Sequence, residues 1–429
     1  MKKYLFIIGV GLPIALTSCQ QRNAGTNVAT VENAQFAGES LQNTATGDDW
    51  QWRGVNRDGI YHETGLLKEW SPNGPELLWY TEALGDGYSS PAIANGRIYI
   101  TGLTRDRLML YVFDLNGNLL SQKDVGREES RNYPGPRSSV VISDGKLYLY
   151  NAFGQIFCLD ASTLNEIWTK NVISEFNGTN IEWGVCETPL IVGDKIFITP
   201  GGSANNFVAL NKNTGALIWS SRGEGHESTY CSPKFIGNQS IPMIATITQQ
   251  HIIGFHADTG EKLWSHPITN QWNIHPNTPV YGDGMIFVTT GYGGGSIMLR
   301  LTNGGRGIER AWTNNVDNQI GGAVKVGNYV YASGHNGSRG FHCVDWNTGE
   351  VKYRSTDIGN GTVIYADGML YYYSDRGELA LIRPNSERFE MVSRTSVTLG
   401  TNQHWAHLVI HDGVLYVRHG NALMAYKVR

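Results

Sequence analysis

Apolar and polar residues alternate in short runs along most of this chain, and tight turns separate the runs. The recurring unit is an apolar run, a turn of Gly, Asn or Asp, and a second apolar run, as in SSVVISDGKLYLY at 138–150. Such alternation is typical of half-buried strands, and these turn residues favour the positive φ of tight hairpins. The pattern predicts eight β-hairpins, at residues 90–102, 138–150, 188–200, 232–247, 278–290, 322–334, 361–373 and 406–418.

A third apolar strand, a turn and a fourth strand follow most of these hairpins. Four strands about every 40 to 50 residues is the period of a β-propeller blade. Helical periodicity is nearly absent, so the pattern indicates an all-β protein. We therefore expect an eight-bladed β-propeller of four-stranded antiparallel blades, with seven blades as the main alternative.

The two ends of the repeat region predict how the ring closes. The eighth unit ends after its third strand, ALMAYKV at 422–428, whereas PELLWYTEAL at 75–84 resembles a fourth strand with no three before it. If the segment 75–84 completes the last blade, no sheet edge is left open. We expect the ring to be closed by this N-terminal strand.

A turn followed by tryptophan recurs at repeat spacing. NKNTGALIW at 211–219 returns as HADTGEKLW at 256–264 and DWNTGEVKY at 345–353, and a looser form, DASTLNEIW, occupies 160–168. The turn needs glycine for its backbone angles, and a tryptophan is large enough to pack one blade against the next. The phrase is therefore interpreted as architecture rather than as a cofactor site.

The N-terminus has the pattern of an export signal. Lys2 and Lys3 precede an apolar run and then LTSC, which resembles the bacterial lipobox whose cysteine is lipidated. We expect a lipoprotein signal peptide at 1–18, lipidation of Cys19, a flexible tether at 19–47 and the propeller at 48–429. An acylated cysteine holds a protein at a membrane without spanning it. The predicted location is the cell envelope, at the periplasmic or surface side of the outer membrane.

Composition excludes some classes of partner. The chain has 429 residues and a net charge of −4 with both signs interspersed, so nothing favours a nucleic-acid partner. Cys158 and Cys343 lie in apolar strand runs, which predicts buried thiols. Cys186 and Cys231 occupy matching places in consecutive repeats; a disulfide is open to them in an exported protein, although we favour two free thiols. We expect a monomer.

The loops that lead into the first strand of each unit contain most of the unusual side chains. In a propeller these loops share one face, here called the loop face, with the loops between second and third strands. Aromatic rings beside His, Glu, Arg and amide groups suit a flat polar ligand, although three tryptophans could instead plug the channel. The candidate ligand-binding residues are Tyr133, Arg137, Glu182, Trp183, His226, Glu227, Tyr230, Trp272, His275, Gln319, His404 and Trp405.

The phrases VALNKNTGALIW, GFHADTGEKLW and CVDWNTGEVKY resemble the pyrroloquinoline-quinone (PQQ) repeat family over roughly residues 48–429. The resemblance implies an eight-bladed propeller held together by tryptophan docking motifs. It also implies one of two functions: a quinoprotein dehydrogenase that oxidises alcohols or sugars with PQQ and Ca²⁺, or a BamB-like lipoprotein scaffold without catalytic activity. Fold does not choose between them.

Departures from the dehydrogenase pattern favour the scaffold. The sequence has no adjacent cysteine pair and no Cys-x-x-Cys-His, and no catalytic or calcium-binding set can be matched residue by residue. The leading interpretation is thus a binding or scaffold protein for an envelope protein, a glycan or a small polar ligand, with no predicted metal site and no cofactor.

Two catalytic alternatives stay open at the level of sequence. In a dehydrogenase, Glu182, Glu187 or Glu227 could act as the base while Arg137 binds the carboxylates of PQQ. In a carbohydrate-active enzyme such as a polysaccharide lyase, the acid and base groups could be His226, Tyr230 and His404.

Overall fold

A computed structural model describes residues 49–237 and 239–429. The predicted signal peptide, the tether at 19–47 and Cys19 lie outside the described residues. Within them the fold is all-β, and its only helical segments are α1 (Val172–Glu175) and a 3₁₀ turn at Asn303–Gly305. No helix in this part of the chain has the length and apolar character needed to cross a membrane. Eight sheets are present, which confirms the predicted eight-bladed propeller of four-stranded blades over the seven-bladed alternative.

Two short strands precede the regular series. They are β1 (Ile60–Tyr61) and β2 (Glu76–Thr81). Blade 1 then contains β3 (Ala92–Ala94), β4 (Arg97–Thr104), β5 (Arg107–Asp114) and β6 (Leu119–Arg127). Blade 2 contains β7 (Val141–Ser143), β8 (Lys146–Tyr150), β9 (Gln155–Asp160) and β10 (Glu166–Asn171). Blade 3 contains β11 (Leu190–Val192), β12 (Lys195–Ile198), β13 (Phe207–Asn211) and β14 (Leu217–Ser221). Blade 4 contains β15 (Lys234–Ile236), β16 (Met243–Ile247), β17 (His251–His256) and β18 (Lys262–Pro267).

The second half of the ring follows the same order. Blade 5 contains β19 (Val280–Gly282), β20 (Met285–Thr290), β21 (Gly295–Thr302) and β22 (Gly307–Asn314). Blade 6 contains β23 (Val324–Val326), β24 (Tyr329–Gly334), β25 (Gly340–Asp345) and β26 (Val351–Ser355). Blade 7 contains β27 (Gly361–Ala366), β28 (Met369–Ser374), β29 (Glu378–Ile382) and β30 (Met391–Ser396). Blade 8 contains β31 (Val409–His411), β32 (Val414–His419) and β33 (Ala422–Lys427).

Strands from distant parts of the chain meet in blade 8. Its fourth and outermost strand is β2, which pairs antiparallel with β33, so that Glu76 lies opposite Lys427 and Trp79 opposite Ala425. The last sheet is therefore built from strands near both ends of the described chain.

Tryptophans at the ends of outer strands join neighbouring blades. The indole N–H of Trp168 donates to the Lys212 carbonyl of blade 3, and that of Trp219 donates to the Ala257 carbonyl of blade 4. Trp79 and Trp312 make equivalent bonds to the next blade. The indole N–H of Trp264 is buried without a partner, so blade 4 has no such hydrogen bond to blade 5.

The centre of the ring is filled by residues 49–61, here called the central segment. Trp50 exchanges two backbone hydrogen bonds with Ile142 of blade 2, and β1 pairs in parallel with β27 of blade 7. Both ends of the segment lie at the turn face, which carries the turns between first and second strands. There Asp49 accepts from the backbone N–H of Asp144, and Glu63 accepts from that of Gly413.

Two buried arginines fix the central segment to the blades around it. Arg53 donates to the carbonyls of Ala323 and Val363 and to His407 Nδ1, in blades 6, 7 and 8. Arg57 donates to the carbonyls of Thr188 and Pro189 in blade 3 and to Gln51 Oε1. Because buried carbonyls need donors, these arginines satisfy backbone groups at the centre of the ring. The three tryptophans of the sequence-based alternative do not plug the channel.

The cysteines agree with the predictions where the structure describes them. Cys158 and Cys343 are fully buried inside their blades. Cys186 and Cys231 are free thiols rather than a disulfide.

Candidate functional site

A cavity of about 760 Å³ opens at the centre of the loop face. Its wall is built from the loops that precede the innermost strands of every blade except blade 7, together with the loops that hold Gln249 and Tyr292. Its base is formed by Trp52 of the central segment and by His407. The propeller thus holds side chains from many blades around one concave site.

Nine of the twelve predicted site residues line this cavity. The aromatic ones are Tyr133, Trp183, Tyr230, Trp272 and Trp405, and the polar ones are Arg137, Glu182, Glu227 and Gln319. Two of the aromatic residues are exposed, Trp272 to 61% and Tyr133 to 41%. These two residues are therefore accessible to a ligand without any rearrangement of the cavity.

The other three predicted residues, all histidines, do not line the cavity. His275 is fully buried, bonding Thr290 Oγ1 through Nδ1 at 2.7 Å and the Gln249 carbonyl through Nε2 at 3.0 Å. His404 stacks on His419 with ring centres 3.6 Å apart and bonds the Tyr373 hydroxyl at 2.5 Å. His226 stacks on His251 at 5.1 Å. Their ring contacts give these histidines packing roles.

Burial keeps two of these histidines neutral. Loss of solvent around the ring lowers the pKa of both His275 and His404 to about 4. In the lyase alternative, His226, Tyr230 and His404 would share one site. Only Tyr230 lines the cavity, so the structure does not bring these three groups together there.

Four aromatic rings form a continuous arc along one wall. Tyr88 lies 5.2 Å from Trp405, Trp405 lies 5.0 Å from Tyr133, and Tyr133 lies 5.6 Å from Trp183, measured between ring centres. These separations are those of favourable tilted and edge-to-face pairs. The Tyr88 hydroxyl donates to Gln403 Oε1 at 2.6 Å, which fixes one end of the arc.

Arg137 holds two loops of the arc together. Its guanidinium donates to the Trp183 carbonyl at 2.5 Å and to the Asn132 and Tyr133 carbonyls at 2.8 Å each. Because one planar cation binds three carbonyls from two loops, the relative position of Tyr133 and Trp183 is set before any ligand arrives. In the dehydrogenase alternative Arg137 would bind cofactor carboxylates, but three backbone carbonyls already bind it.

Three cavity residues, two tyrosines and one asparagine, have left-handed backbone conformations, which are uncommon for residues other than glycine and asparagine. Tyr133 has φ of 49°, Asn273 has φ of 53° and Tyr292 has φ of 57°. For a bulky tyrosine this conformation costs of order 1–3 kcal/mol, and such strain is concentrated at functional sites. The strain is a reason to regard the cavity wall as a built site.

Polar groups of the opposite wall are paired with one another. Gln249 Nε2 donates to Glu227 Oε2 at 2.9 Å, and Gln319 Nε2 donates to the Tyr292 hydroxyl at 2.8 Å. His275 holds the Gln249 backbone from behind. Each amide keeps its carbonyl oxygen and a second N–H, which a ligand could use.

The imidazole of His407 at the base of the cavity is neutral. Arg53 can only donate, so His407 Nδ1 accepts its hydrogen bond and the ring proton is on Nε2. Burial, followed by the charge of Arg53, lowers the pKa of His407 well below its ordinary value. Trp52 lies edge-on to this ring, with centres 4.9 Å apart. The base therefore offers an indole and a neutral imidazole.

The lining does not fit PQQ with Ca²⁺. PQQ carries three carboxylates, whereas the only Lys or Arg among the described lining residues is Arg137, and Glu182 and Glu227 add negative charge. Among the described residues no three His, Cys, Asp or Glu side chains are grouped as ligands for a metal ion. Glu187, a candidate base, is buried outside the lining, and burial raises its pKa to about 8.

Several lining residues are not among the predicted ones, including Trp52, Tyr88, Gln249, Tyr292 and His407. Tyr88 lies in a loop of the predicted kind, so its aromatic character was a usable signal. Tyr292 lies in the glycine-rich GYGGGS, which has no motif of its own. Trp52 could not be found this way, because it reaches the cavity from the central segment rather than from a blade.

Comparisons with known proteins identify relatives of the repeat. A family model described as "Outer membrane protein assembly factor BamB" matches residues 108–320 and 237–389, which together make up more than half of the chain. The chain is also 28% identical over 154 residues to a quinoprotein ethanol dehydrogenase of Pseudomonas aeruginosa, a match that covers 33% of this chain and 24% of that protein. PedH, a quinoprotein alcohol dehydrogenase of Pseudomonas putida, is 25% identical over 149 residues, with the same coverage.

Solved structures have the same fold at low sequence identity. BamB from Moraxella catarrhalis superposes with a TM-score of 0.61 and 13% identity, covering 82% of this chain and 99% of that one. A quinohemoprotein alcohol dehydrogenase from Comamonas testosteroni superposes with a TM-score of 0.62 and 12% identity, covering 90% and 81%. At this identity the likeness shows a shared architecture and no more.

Proposed function

This chain belongs to the PQQ-repeat family whose model is described as outer membrane protein assembly factor BamB, and we propose that it is a non-catalytic binding or scaffold protein of the bacterial cell envelope. The site of binding is the cavity on the loop face. Its ligand is an envelope protein or a glycan.

The observation that carries this proposal is the lining of the cavity. Eight aromatic side chains of the described chain surround it, mixed with amides and only three charged groups. Concave sites with many aromatic faces and a few fixed polar groups are typical of recognition. Among the candidate acid and base groups, Glu227 is paired with Gln249, Glu187 is buried, and His226 and His404 lie outside the lining, which supports binding over catalysis.

Site-specific photo-crosslinking in the native organism tests this proposal. A photoreactive amino acid at Trp272, on the rim of the cavity, should give discrete covalent adducts with an envelope component. The matched control is the same amino acid at Asn95, an exposed residue on the turn face. Adducts that are equally frequent at both positions, or absent at Trp272, would contradict binding through the loop face.

The location is part of the same proposal and depends on Cys19. If the lipobox is used, a Cys19→Ser variant should lose lipid labelling and move from the membrane fraction to the soluble fraction. Unchanged fractionation together with unchanged labelling would exclude a lipid anchor at this residue. Immunodetection on intact cells then separates a surface location from a periplasmic one.

A PQQ-dependent dehydrogenase is the second candidate, because two of the relatives have that activity in their names. Each match spans only a quarter of the relative, and the charge of the cavity disfavours a tricarboxylate. Titration with PQQ and Ca²⁺, followed by dye reduction with alcohols and sugars, decides between the candidates. Turnover with a bound quinone would replace the scaffold proposal.

A further inference from the structure

The charges around the cavity disfavour an anionic ligand. Two carboxylates, Glu182 and Glu227, line it, while Arg137 already donates to three backbone carbonyls. His407 at the base is neutral, since Arg53 donates to its Nδ1. A phosphate or a carboxylate entering here would lose its hydration and meet two carboxylates, and the one Lys or Arg of the described lining, Arg137, is already tied to backbone carbonyls. The lining therefore favours a ligand without negative charge.

The aromatic arc offers broad faces to apolar C–H groups. Four rings, Tyr88, Trp405, Tyr133 and Trp183, follow one another at 5.0–5.6 Å, and Trp272 adds a fifth at the rim. A sugar ring has an apolar face of C–H groups and an edge of hydroxyls. Stacking of that face on Tyr or Trp buries apolar area while the hydroxyls stay free for hydrogen bonds.

The opposite wall suits those hydroxyls. The pairs Gln249–Glu227 and Gln319–Tyr292 are fixed by hydrogen bonds of 2.9 and 2.8 Å, so their remaining donors and acceptors have defined directions. Hydroxyls both donate and accept, and amide and carboxylate groups match them in pairs. Because the wall is already ordered, little side-chain entropy is lost on binding.

A polypeptide ligand has fewer ways to bind here. Peptides commonly add a strand to a free sheet edge, but the innermost strands are partly covered from within. Trp50 bonds to Ile142 of blade 2, and β1 occupies the edge of β27 in blade 7. The wall of the cavity consists of loops, so a chain end with hydroxyls fits it better than an extended backbone does.

From these contacts we propose that the cavity binds the end of a neutral oligosaccharide, with the aromatic arc as the stacking surface. This inference rests on the proposed function and names the ligand class of the same site. The volume of about 760 Å³ lies within the range of small-molecule sites. A sugar chain would enter past Trp272 with its terminal ring against Tyr133.

The test uses the purified full chain and defined saccharides. Neutral oligosaccharides of glucose, mannose, galactose and N-acetylglucosamine, and matching oligogalacturonates, are presented on an array, and the best neutral binder is titrated by tryptophan fluorescence. We expect at least tenfold tighter binding of a neutral oligosaccharide than of the oligogalacturonates. A Glu182→Lys variant replaces a carboxylate of the lining by a cation. It should therefore reduce the preference for the neutral oligosaccharide over the oligogalacturonates severalfold.

A tyrosine pair provides the matched variants. Tyr133→Asn removes a ring of the arc while asparagine tolerates the left-handed backbone, so the fold should be kept. It should weaken binding at least tenfold. Tyr80→Asn removes a 53% exposed tyrosine from an outer strand and should change the affinity less than twofold.

The outcomes separate this inference from the proposed function. An array without any neutral binder, or equal losses for Tyr133→Asn and Tyr80→Asn, overturns the saccharide assignment. If Trp272 then still cross-links to an envelope protein, the proposed function holds and the ligand is a polypeptide. If neither sugars nor cross-links are found, both proposals fail.

Discussion

At the scale of single residues, the turn glycines have two roles that the sequence pattern shows only in part. Gly260 has φ of 73°, as the Thr-Gly turn predicts. It also lies under the Trp219 indole of the preceding blade, where a Cβ atom would approach Cε3 to 2.5 Å. Gly215 has the same relation to Trp168. The glycine of one blade and the tryptophan of the previous one are therefore a single packing unit.

Replacing Gly260 by alanine should destabilise the protein by about 2–5 kcal/mol. About 1–2 kcal/mol comes from a left-handed alanine and about 1–3 kcal/mol from the collision with Trp219. Gly284→Ala is the matched control, because Gly284 has φ of 72° and open space around its Cβ position. Urea unfolding of both variants measures the difference. If both variants lose the same unfolding free energy, the Trp219 indole moves away from the new methyl group without destabilising the fold.

Glu187 should make stability depend on pH. Burial raises its pKa from 4.5 to about 8, and its Oε1 has no hydrogen-bond partner. A carboxyl whose pKa is raised by folding stabilises the folded state fully below pH 4.5, and this contribution is lost as pH rises toward 8. Glu187→Gln should therefore reduce the fall in unfolding free energy between pH 5 and 8, by an amount on the order of a few kcal/mol.

The control for this titration is Glu309→Gln, which changes an exposed carboxylate on an outer strand. It should leave the pH dependence of unfolding as it is in the parent chain. Unfolding curves of all three proteins at several pH values give the slopes. A Glu187→Gln variant with the parent slope would show that this carboxyl is ionised in the folded state at neutral pH.

At the scale of elements, the blades follow from the sequence and the central segment does not. The eight hairpins were predictable because strand alternation and turn residues are local signals. Residues 49–61 contain one two-residue strand and no alternation, and their partners in the blades lie more than 80 positions away. The segment is held by contacts with several blades, and local sequence signals do not encode such contacts.

The buried arginines of the central segment should be worth more than surface arginines. Arg57→Leu leaves the Thr188 and Pro189 carbonyls without donors, and unsatisfied buried groups cost about 1–3 kcal/mol each. We expect a loss of at least about 3 kcal/mol and faster amide hydrogen exchange in β11. Arg300→Leu, which removes an exposed ion pair with Glu309, should cost at most about 1 kcal/mol. If the two variants lose comparable amounts of unfolding free energy, the central segment contributes little to stability.

At the scale of the whole molecule, ring geometry determines the site. Tyr88, Tyr133, Trp183, Tyr230 and Trp405 are spread over more than 300 positions, yet all line one cavity. Their collection on one face was predictable, because every blade presents the loop before its first strand to that face. The sequence did not show which histidines would point away from the cavity, because His275 and His404 are held by hydrogen-bond partners on other strands and loops.

The pairing of β2 with β33 has a measurable consequence for the whole molecule. Glu76 and Lys427 are exposed and lie opposite each other in the β2–β33 pair, as Arg300 and Glu309 do in the β21–β22 pair of blade 5. Cysteines at 76 and 427 would close a loop of roughly 350 residues, whereas cysteines at 300 and 309 would close one of about 10. Loop entropy predicts that the first disulfide stabilises by about 3 kcal/mol more.

Unfolding under oxidising and reducing conditions measures both disulfides in the same background. The gain from 76–427 should disappear on reduction, because it depends on keeping the two distant strands together in the unfolded chain. It should also slow unfolding if separation of β2 from β33 is the step that opens the ring. If the two disulfides give equal gains, or if 76–427 does not form, β2 is not the closing strand and the eighth blade is completed in another way.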